Sequence, residues 1–140
     1  MSDHLSVLEY LVGDTTTWGP YIEQLLAVAS TAGAPVHMSL DLPWDVAGVC
    51  HYDHDPGGPL IELNVRSAEL ALLVLAHEVA HHMLSRGLPG YHLLGIHWRE
   101  TMADIYAYAL LLQLGAPVTM DQLQAAIGHA AACSCKDRQP

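Results

Sequence analysis

The segment LAHEVAHHML, residues 75–84, decides how this chain is interpreted. Two histidines, His77 and His81, stand four residues apart, and Glu78 follows the first. On an α-helix, residues i and i+4 lie one turn apart on the same face, so both imidazoles can be presented to one metal ion. Glu78 lies beside them, where a carboxylate can take a proton from a water molecule at that ion. The spacing predicts the HExxH arrangement of a zinc peptidase on one helix.

The surrounding residues predict a buried helix over residues 67–84. Ser67 is a suitable N-cap, Gly87 follows as a stop, and apolar side chains cover nearly every face. Two imidazoles and a carboxylate are costly to bury in such a helix unless they are paired, and a divalent ion would satisfy all three. The alternative is a core helix whose histidines bond to the backbone. His82 is turned about 100° from His81 on an ideal helix, so we do not expect it to be a ligand.

A third protein ligand has to come from another segment, because catalytic zinc usually combines three protein ligands with one open position. A metzincin extension would need glycine at position 84 and histidine at position 87, where the chain has Leu84 and Gly87. A second helix is predicted over residues 97–114. It carries Glu100, the candidate third ligand, and Asp104, which can accept the free ring N–H of a ligating histidine. The alternative for Glu100 is a solvated acid in the first turn, favoured by the helix dipole.

The two segments together resemble the ImmA/IrrE family of small zinc metallopeptidases, which pair an HExxH helix with a helix of pattern ExxA[DN]x[FY]A. Here the second pattern reads ETMADIYA at residues 100–107, and GVCHYDHDPGGPLIELN at residues 48–64 resembles the family's strand pair. The resemblance covers residues 46–114. It implies a zincin-like domain with His77, His81 and Glu100 as zinc ligands, Glu78 as general base and acid, and Asp104 as the partner of a ligating histidine.

The order of predicted elements indicates an α+β fold. The predicted elements are helices over residues 3–11 and 20–33, strands over 36–40, 47–53 and 59–64, and a last helix over 119–131. Pro20 stands at the first position of the second helix. The run PGG at residues 56–58 is a strong turn signal, so the last two strands should form a hairpin within a small antiparallel three-stranded sheet. An exposed edge of such a sheet can accept an extended peptide.

Length and composition limit the possible classes. A chain of 140 residues with 51% hydrophobic content should form one domain, residues 1–132, followed by a tail, residues 133–140. The N-terminus does not resemble a signal peptide and no apolar stretch approaches membrane-spanning length, so we expect a soluble, cytoplasmic protein. An odd set of cysteines, Cys50, Cys133 and Cys135, fits a reducing compartment. The last two are interpreted as incidental thiols rather than as a second metal site.

The charge balance excludes some partners. Five basic residues against fifteen acidic ones give a formal net charge of −10. The chain therefore lacks the excess of positive charge that binding a nucleic-acid phosphate backbone requires. Direct nucleic-acid binding is therefore not expected. An acidic surface would attract a basic protein, such as a DNA-binding repressor, although it also serves simple solubility.

Two functions from different classes follow from these patterns. The first is a zinc endopeptidase that cleaves a regulatory protein, and the resemblance implies a repressor-like transcription factor. The second is a non-catalytic antirepressor that binds its partner and keeps a structural or vestigial zinc site. Glu78 favours the first, because a structural site needs no general base.

The expected cofactor is one zinc ion per chain, although two imidazoles and a carboxylate also suit manganese. An additional donor should stabilise the developing oxyanion. The candidates are Tyr91, His92 and His97 between the two metal-binding helices, and Tyr52 and His54 on the hairpin.

Overall fold

The computed structural model describes residues 3–129, which form five α-helices, one short 3-10 helix and three strands. The elements are α1 Asp3–Tyr10, α2 Thr15–Thr31, β1 Val36–Met38, β2 Gly48–His51, β3 Leu60–Leu63, α3 Ala68–Gly87, η1 Tyr91–Leu93, α4 Ile96–Leu114 and α5 Met120–His129. This order confirms the predicted α+β class. The predicted tail, residues 133–140, lies outside the described residues, as do Cys133 and Cys135.

The sheet is mixed, with strand order β1-β3-β2. β2 and β3 pair antiparallel, with Gly48 opposite Leu63, so the predicted hairpin is confirmed. β1 pairs parallel with β3, with Val36 beside Ile61, so the prediction of an entirely antiparallel sheet is wrong. The physical reason is that residues 39–47 reverse the chain and leave a gap one strand wide. β3 fills that gap, and a strand between two oppositely directed neighbours must be parallel to one of them.

Helix α2 begins five residues earlier than predicted, at Thr15. The Asp14 side chain accepts a hydrogen bond from the Thr17 backbone N–H at 3.0 Å and so caps the first turn. Pro20 therefore lies inside the helix rather than at its first position. The cap at Asp14 lets the helix begin before the proline. Pro20 removes one backbone hydrogen-bond donor but does not end the helix.

Helix α3 is the central element and packs against α2, α4, α5 and β2. Its buried residues include every position from Ala71 to His82, which confirms the prediction of a buried helix. Ser67 caps it by accepting the Leu70 N–H. The helix runs through Gly87, three residues beyond the predicted end at Leu84, and its cap residue Leu88 is extended, with φ of −116°.

Helices α4 and α5 lie against α3. Gly115, with φ of 77°, ends α4 as predicted. Thr119 and Gln122 form a reciprocal cap at the start of α5, with the Gln122 N–H donating to Thr119 Oγ1 at 3.1 Å and the Thr119 N–H to Gln122 Oε1 at 2.8 Å. Among the described residues, no helix combines the length and the hydropathy needed to cross a bilayer.

Candidate metal centre

Three side chains from α3 and α4 bring their potential ligand atoms together. The Nε2 atoms of His77 and His81 lie 3.0 Å apart. Glu100 Oε1 lies 3.2 Å from His77 Nε2, and Glu100 Oε2 lies 2.9 Å from His81 Nε2. Around a tetrahedral metal ion, ligand atoms that lie about 2.0–2.1 Å from the metal are roughly 3.3 Å from one another. These spacings are close to that value, so His77, His81 and Glu100 could hold a metal ion.

Each histidine is held through its other ring nitrogen. His77 Nδ1 lies 3.0 Å from Asp104 Oδ1, and His81 Nδ1 lies 2.5 Å from the hydroxyl oxygen of Tyr91. If each Nδ1 carries the proton and donates it, both Nε2 atoms turn a lone pair toward Glu100. Three acceptors then converge on one point. A metal ion between them would satisfy all three.

The electrostatics of the cluster also favour a positive charge at this point. Burial by itself would lower the pKa of His77, but hydrogen bonds to Asp104 and Glu100 outweigh it and raise that pKa. Burial would raise the pKa of Glu100, yet hydrogen bonds from His77 and His81 hold it far below its ordinary range. The cluster therefore favours an ionised carboxylate with a positive charge beside it. Either a proton or a metal ion can supply that charge.

The three candidate ligands suit zinc, and the site is partly open to solvent. Two imidazoles and one carboxylate are a known ligand set of catalytic zinc, which keeps a further position open. His77 and His81 are fully buried, whereas 17% of the Glu100 side chain is exposed. Among the described residues, no other group of three His, Cys, Asp or Glu side chains brings its ligand atoms this close.

Glu78 is buried between α3 and β2, where Gly48 approaches it closely. A Cβ atom added at Gly48 would lie 2.8 Å from Val74 Cγ1 and 3.1 Å from both Cγ and Oε2 of Glu78. The absence of a side chain at Gly48 is what allows β2 to lie against this part of α3. The sequence analysis missed Gly48. The available signal was a glycine inside a predicted strand, which often marks a close approach of the backbone.

Strand β2 lies at the edge of the sheet. The Asn64 N–H donates to the Ala47 carbonyl at 2.8 Å, which marks the start of the ladder with β3. Because bonded and non-bonded pairs alternate in an antiparallel ladder, Gly48 and Cys50 turn their backbone groups away from β3. Both residues are buried, so the outer edge of β2 is covered at these two positions.

Most of the remaining candidates lie close to one another. Tyr52, His54 and His92 form a ring cluster, with the His92 centroid 4.6 Å from Tyr52 and 4.8 Å from His54. Tyr91 joins this cluster to the metal centre, since its ring lies 5.3 Å from His92. His97 is exposed and packs on the neighbouring tryptophan ring, so the structure does not bring it into the ring cluster.

His82 has a different role from its neighbour in the sequence. Its Nε2 lies 2.8 Å from the Ala32 carbonyl oxygen, at the C-terminal end of α2. As predicted, His82 is not part of the group that could hold a metal. It is a buried histidine that bonds to the backbone and ties α3 to α2.

The fold and the site together define the class: a small α+β protein with a candidate metal centre of two histidines and one glutamate. Comparisons with family models, curated proteins and solved structures found no match to this chain. The resemblance to the ImmA/IrrE family therefore stays a prediction from the two motifs.

Proposed function

We propose that this protein is a zinc-dependent endopeptidase with a zincin-like domain, similar to the ImmA/IrrE family, that acts on a regulatory protein in the cytoplasm. The observation that supports it most is the position of Glu78. Glu78 directly follows the ligand candidate His77 on α3, and its buried side chain packs against Gly48 of β2. A structural zinc site needs no base beside it.

The residues of the chain divide the reaction among them. Zinc, when bound, would polarise the peptide carbonyl and make a water molecule more acidic. Glu78 takes a proton from the attacking water and passes it to the leaving amine as the C–N bond breaks. Asp104 and Tyr91 keep the two ligating histidines in the required tautomer and orientation.

The substrate would lie over the accessible side of the cluster, where part of the Glu100 side chain is exposed. Its scissile carbonyl would then lie beside Glu78. A net charge of −10 favours a basic partner, and a repressor-like transcription factor is the proposed one.

The substitution Glu78→Gln tests this function. The variant should keep its zinc, because Glu78 is not among the three ligands, and cleavage should fall by about 100-fold or more with the base removed. Zinc is measured by mass spectrometry of the native protein, and cleavage by the products from a pooled library of random synthetic peptides. The control is Glu23→Gln, the same change at an exposed glutamate of α2, which should leave both quantities unchanged.

The same variant distinguishes the antirepressor alternative. A pull-down with Glu78→Gln protein should recover an uncut partner that the wild-type protein cleaves. If the variant controls that partner as well as the wild-type protein does, sequestration replaces proteolysis as the function. Wild-type protein that neither contains nor accepts zinc would exclude both versions of the site.

A further inference from the structure

A cavity of about 880 Å³ lies at the N-terminal end of α3. Three segments form its walls: residues 44–47 before β2, residues 64–73 at the start of α3, and the face of α5 that carries Ala125 and Ala126. Its volume is in the range of protein ligand pockets, about 300–1,000 Å³. None of the three zinc-ligand candidates lines it.

The floor of this cavity and the metal ligands share one face of α3. Leu70 and Leu73 line the cavity, and they precede His77 by seven and four residues. At about 100° per residue, both lie within roughly 40° of His77 around the helix. At about 1.5 Å per residue, they are roughly 10 and 6 Å from His77 along its axis. The cavity and the metal centre therefore follow one another along a single face.

Strand β2 connects the two places on one side. Ala47 lines the cavity, and the next residue, Gly48, lies against Glu78. An extended peptide advances about 3.3 Å per residue. An extended peptide whose scissile bond lies at the metal centre would therefore span the roughly 6 to 10 Å to the cavity in two or three residues.

The rim of the cavity is fixed and carries an exposed aromatic side chain. The Asn64 side-chain amide donates to three carbonyls of the preceding loop, at 3.0 to 3.2 Å, those of Leu42, Pro43 and Val46. This clamp holds Trp44, which is 94% exposed although it borders an apolar cavity. A tryptophan presented in this way is typical of residues that become buried by a binding partner.

The same rim is acidic. Asp45 and Glu69 both line the cavity, and none of the lining residues is basic. A substrate lysine or arginine next to the apolar side chain in the cavity would therefore lie near these two carboxylates. The pairing is exposed, so its contribution is modest, and the apolar cavity supplies most of the selectivity.

We propose that this cavity is a specificity subsite that takes a large apolar side chain two or three residues from the cleaved bond. A lysine or arginine next to that side chain contacts Asp45 and Glu69. The inference rests on the proposed peptidase function. It gives the protein a sequence preference for its substrate.

Two pairs of variants test the subsite in the full-length, zinc-loaded protein. Ala125→Phe narrows the cavity from an exposed position of α5, and Gln124→Phe adds the same bulk on the adjacent exposed residue, which does not line it. Asp45→Asn removes one rim charge, and Asp41→Asn removes an exposed charge from the same loop outside the cavity. The probe is the pooled library of random synthetic peptides, with every cleavage product sequenced by mass spectrometry.

The wild-type protein should enrich large apolar residues two or three positions from the cut, with lysine or arginine beside them. Ala125→Phe should reduce the apolar preference about tenfold in favour of small residues, the scale of discrimination in an apolar pocket. Asp45→Asn, a surface change that the fold tolerates, should reduce only the basic preference, and both controls should match the wild-type protein.

The outcomes separate this inference from the function on which it rests. Cleavage with no preference at these positions, or a preference that Ala125→Phe and Gln124→Phe change equally, overturns the subsite and leaves the peptidase standing. If the zinc-loaded wild-type protein cuts no peptide in the library, the proposed function fails and the subsite fails with it.

Discussion

The metal centre and a second group of histidine and carboxylate side chains arrange their atoms differently. In the metal centre, His77, His81 and Glu100 direct three atoms to one point between α3 and α4. On the side of the sheet away from the core, His51 Nε2 lies 2.6 Å from one oxygen of Glu62. The Ser39 hydroxyl donates to the other oxygen of Glu62 at 2.7 Å. We call this second group the sheet cluster.

The difference shows what makes a histidine and a glutamate a candidate metal site. Each oxygen of Glu62 has its own donor, so the sheet cluster is complete as a set of hydrogen bonds. In the metal centre, the Nδ1 atoms already have partners in Asp104 and Tyr91, and the remaining nitrogens face a carboxylate. A metal ion would satisfy three ligand atoms that meet at one point, whereas Glu62 already has a separate partner for each oxygen. Both clusters contain histidine and glutamate, and the convergence of their atoms separates them.

The largest expected effect is on metal binding. His81→Ala removes one of three ligands and should weaken zinc binding by more than about 100-fold, beyond the effect of changing an outer partner. His51→Ala removes a histidine of the sheet cluster and should leave zinc affinity unchanged. Zinc affinity is measured by competition with a chelator. Equal losses in the two variants would show that the two clusters do not differ in the way described.

The second effect concerns the close approach of β2 to Glu78. Gly48→Ala places a methyl group against Val74 and Glu78, and we expect it to lower the free energy of unfolding by about 1–3 kcal/mol. Peptide cleavage should fall because Glu78 moves, while zinc binding persists. Gly87→Ala is the matched control, since a Cβ there has no neighbour within 4 Å. Chemical denaturation and cleavage assays check both. Unchanged cleavage by Gly48→Ala protein would argue against a role for Gly48 in placing Glu78.

The third effect is on the orientation of a ligand. Asp104→Asn keeps the shape of the side chain but removes the charge that faces His77 Nδ1, and zinc affinity should fall about tenfold. Glu62→Gln, the corresponding change in the sheet cluster, should not alter it. Competition titrations on the two variants give the comparison directly. A loss of zinc affinity in the Glu62→Gln protein would contradict it.

The parts of this site that local sequence determines were predictable. His77 and His81 are related by one helical turn, and Asp104 follows Glu100 by another, so helix geometry alone places each pair. The hairpin was equally accessible, because the turn residues at positions 56–58 lie between two short strand patterns. In each case the pattern that predicts the feature lies within one short stretch of the chain.

The parts that depend on distant contacts were not predictable. The parallel pairing of β1 with β3 depends on a loop that leaves a gap, which no local pattern records. Gly48 and Glu78 are thirty positions apart, and only the packed structure shows that the first makes room for the second. Tyr91 was a candidate for contacting substrate, and its hydrogen bond to His81 depends on how η1 folds back on α3.

The smallest expected effect belongs to the sheet cluster. Burial by itself would raise the pKa of Glu62, but hydrogen bonds from His51 and Ser39 outweigh it and lower that pKa. A carboxyl group with a lowered pKa stabilises the fold above its unfolded pKa, and that contribution is lost as the pH falls through the folded value. Glu62→Gln should therefore lower the free energy of unfolding by about 1 kcal/mol near neutral pH. The difference from the wild-type protein should shrink as the pH falls below about 4.

Denaturation curves across this pH range measure the effect, with Glu23→Gln as the exposed control, for which no loss is expected. A difference that stays constant into acid would mean that the carboxylate charge of Glu62 is not what the sheet cluster uses. Added zinc should act through the metal centre and not through the sheet cluster. Zinc should raise the stability of the wild-type and Glu62→Gln proteins by the same amount, because the ion binds only where acceptors converge.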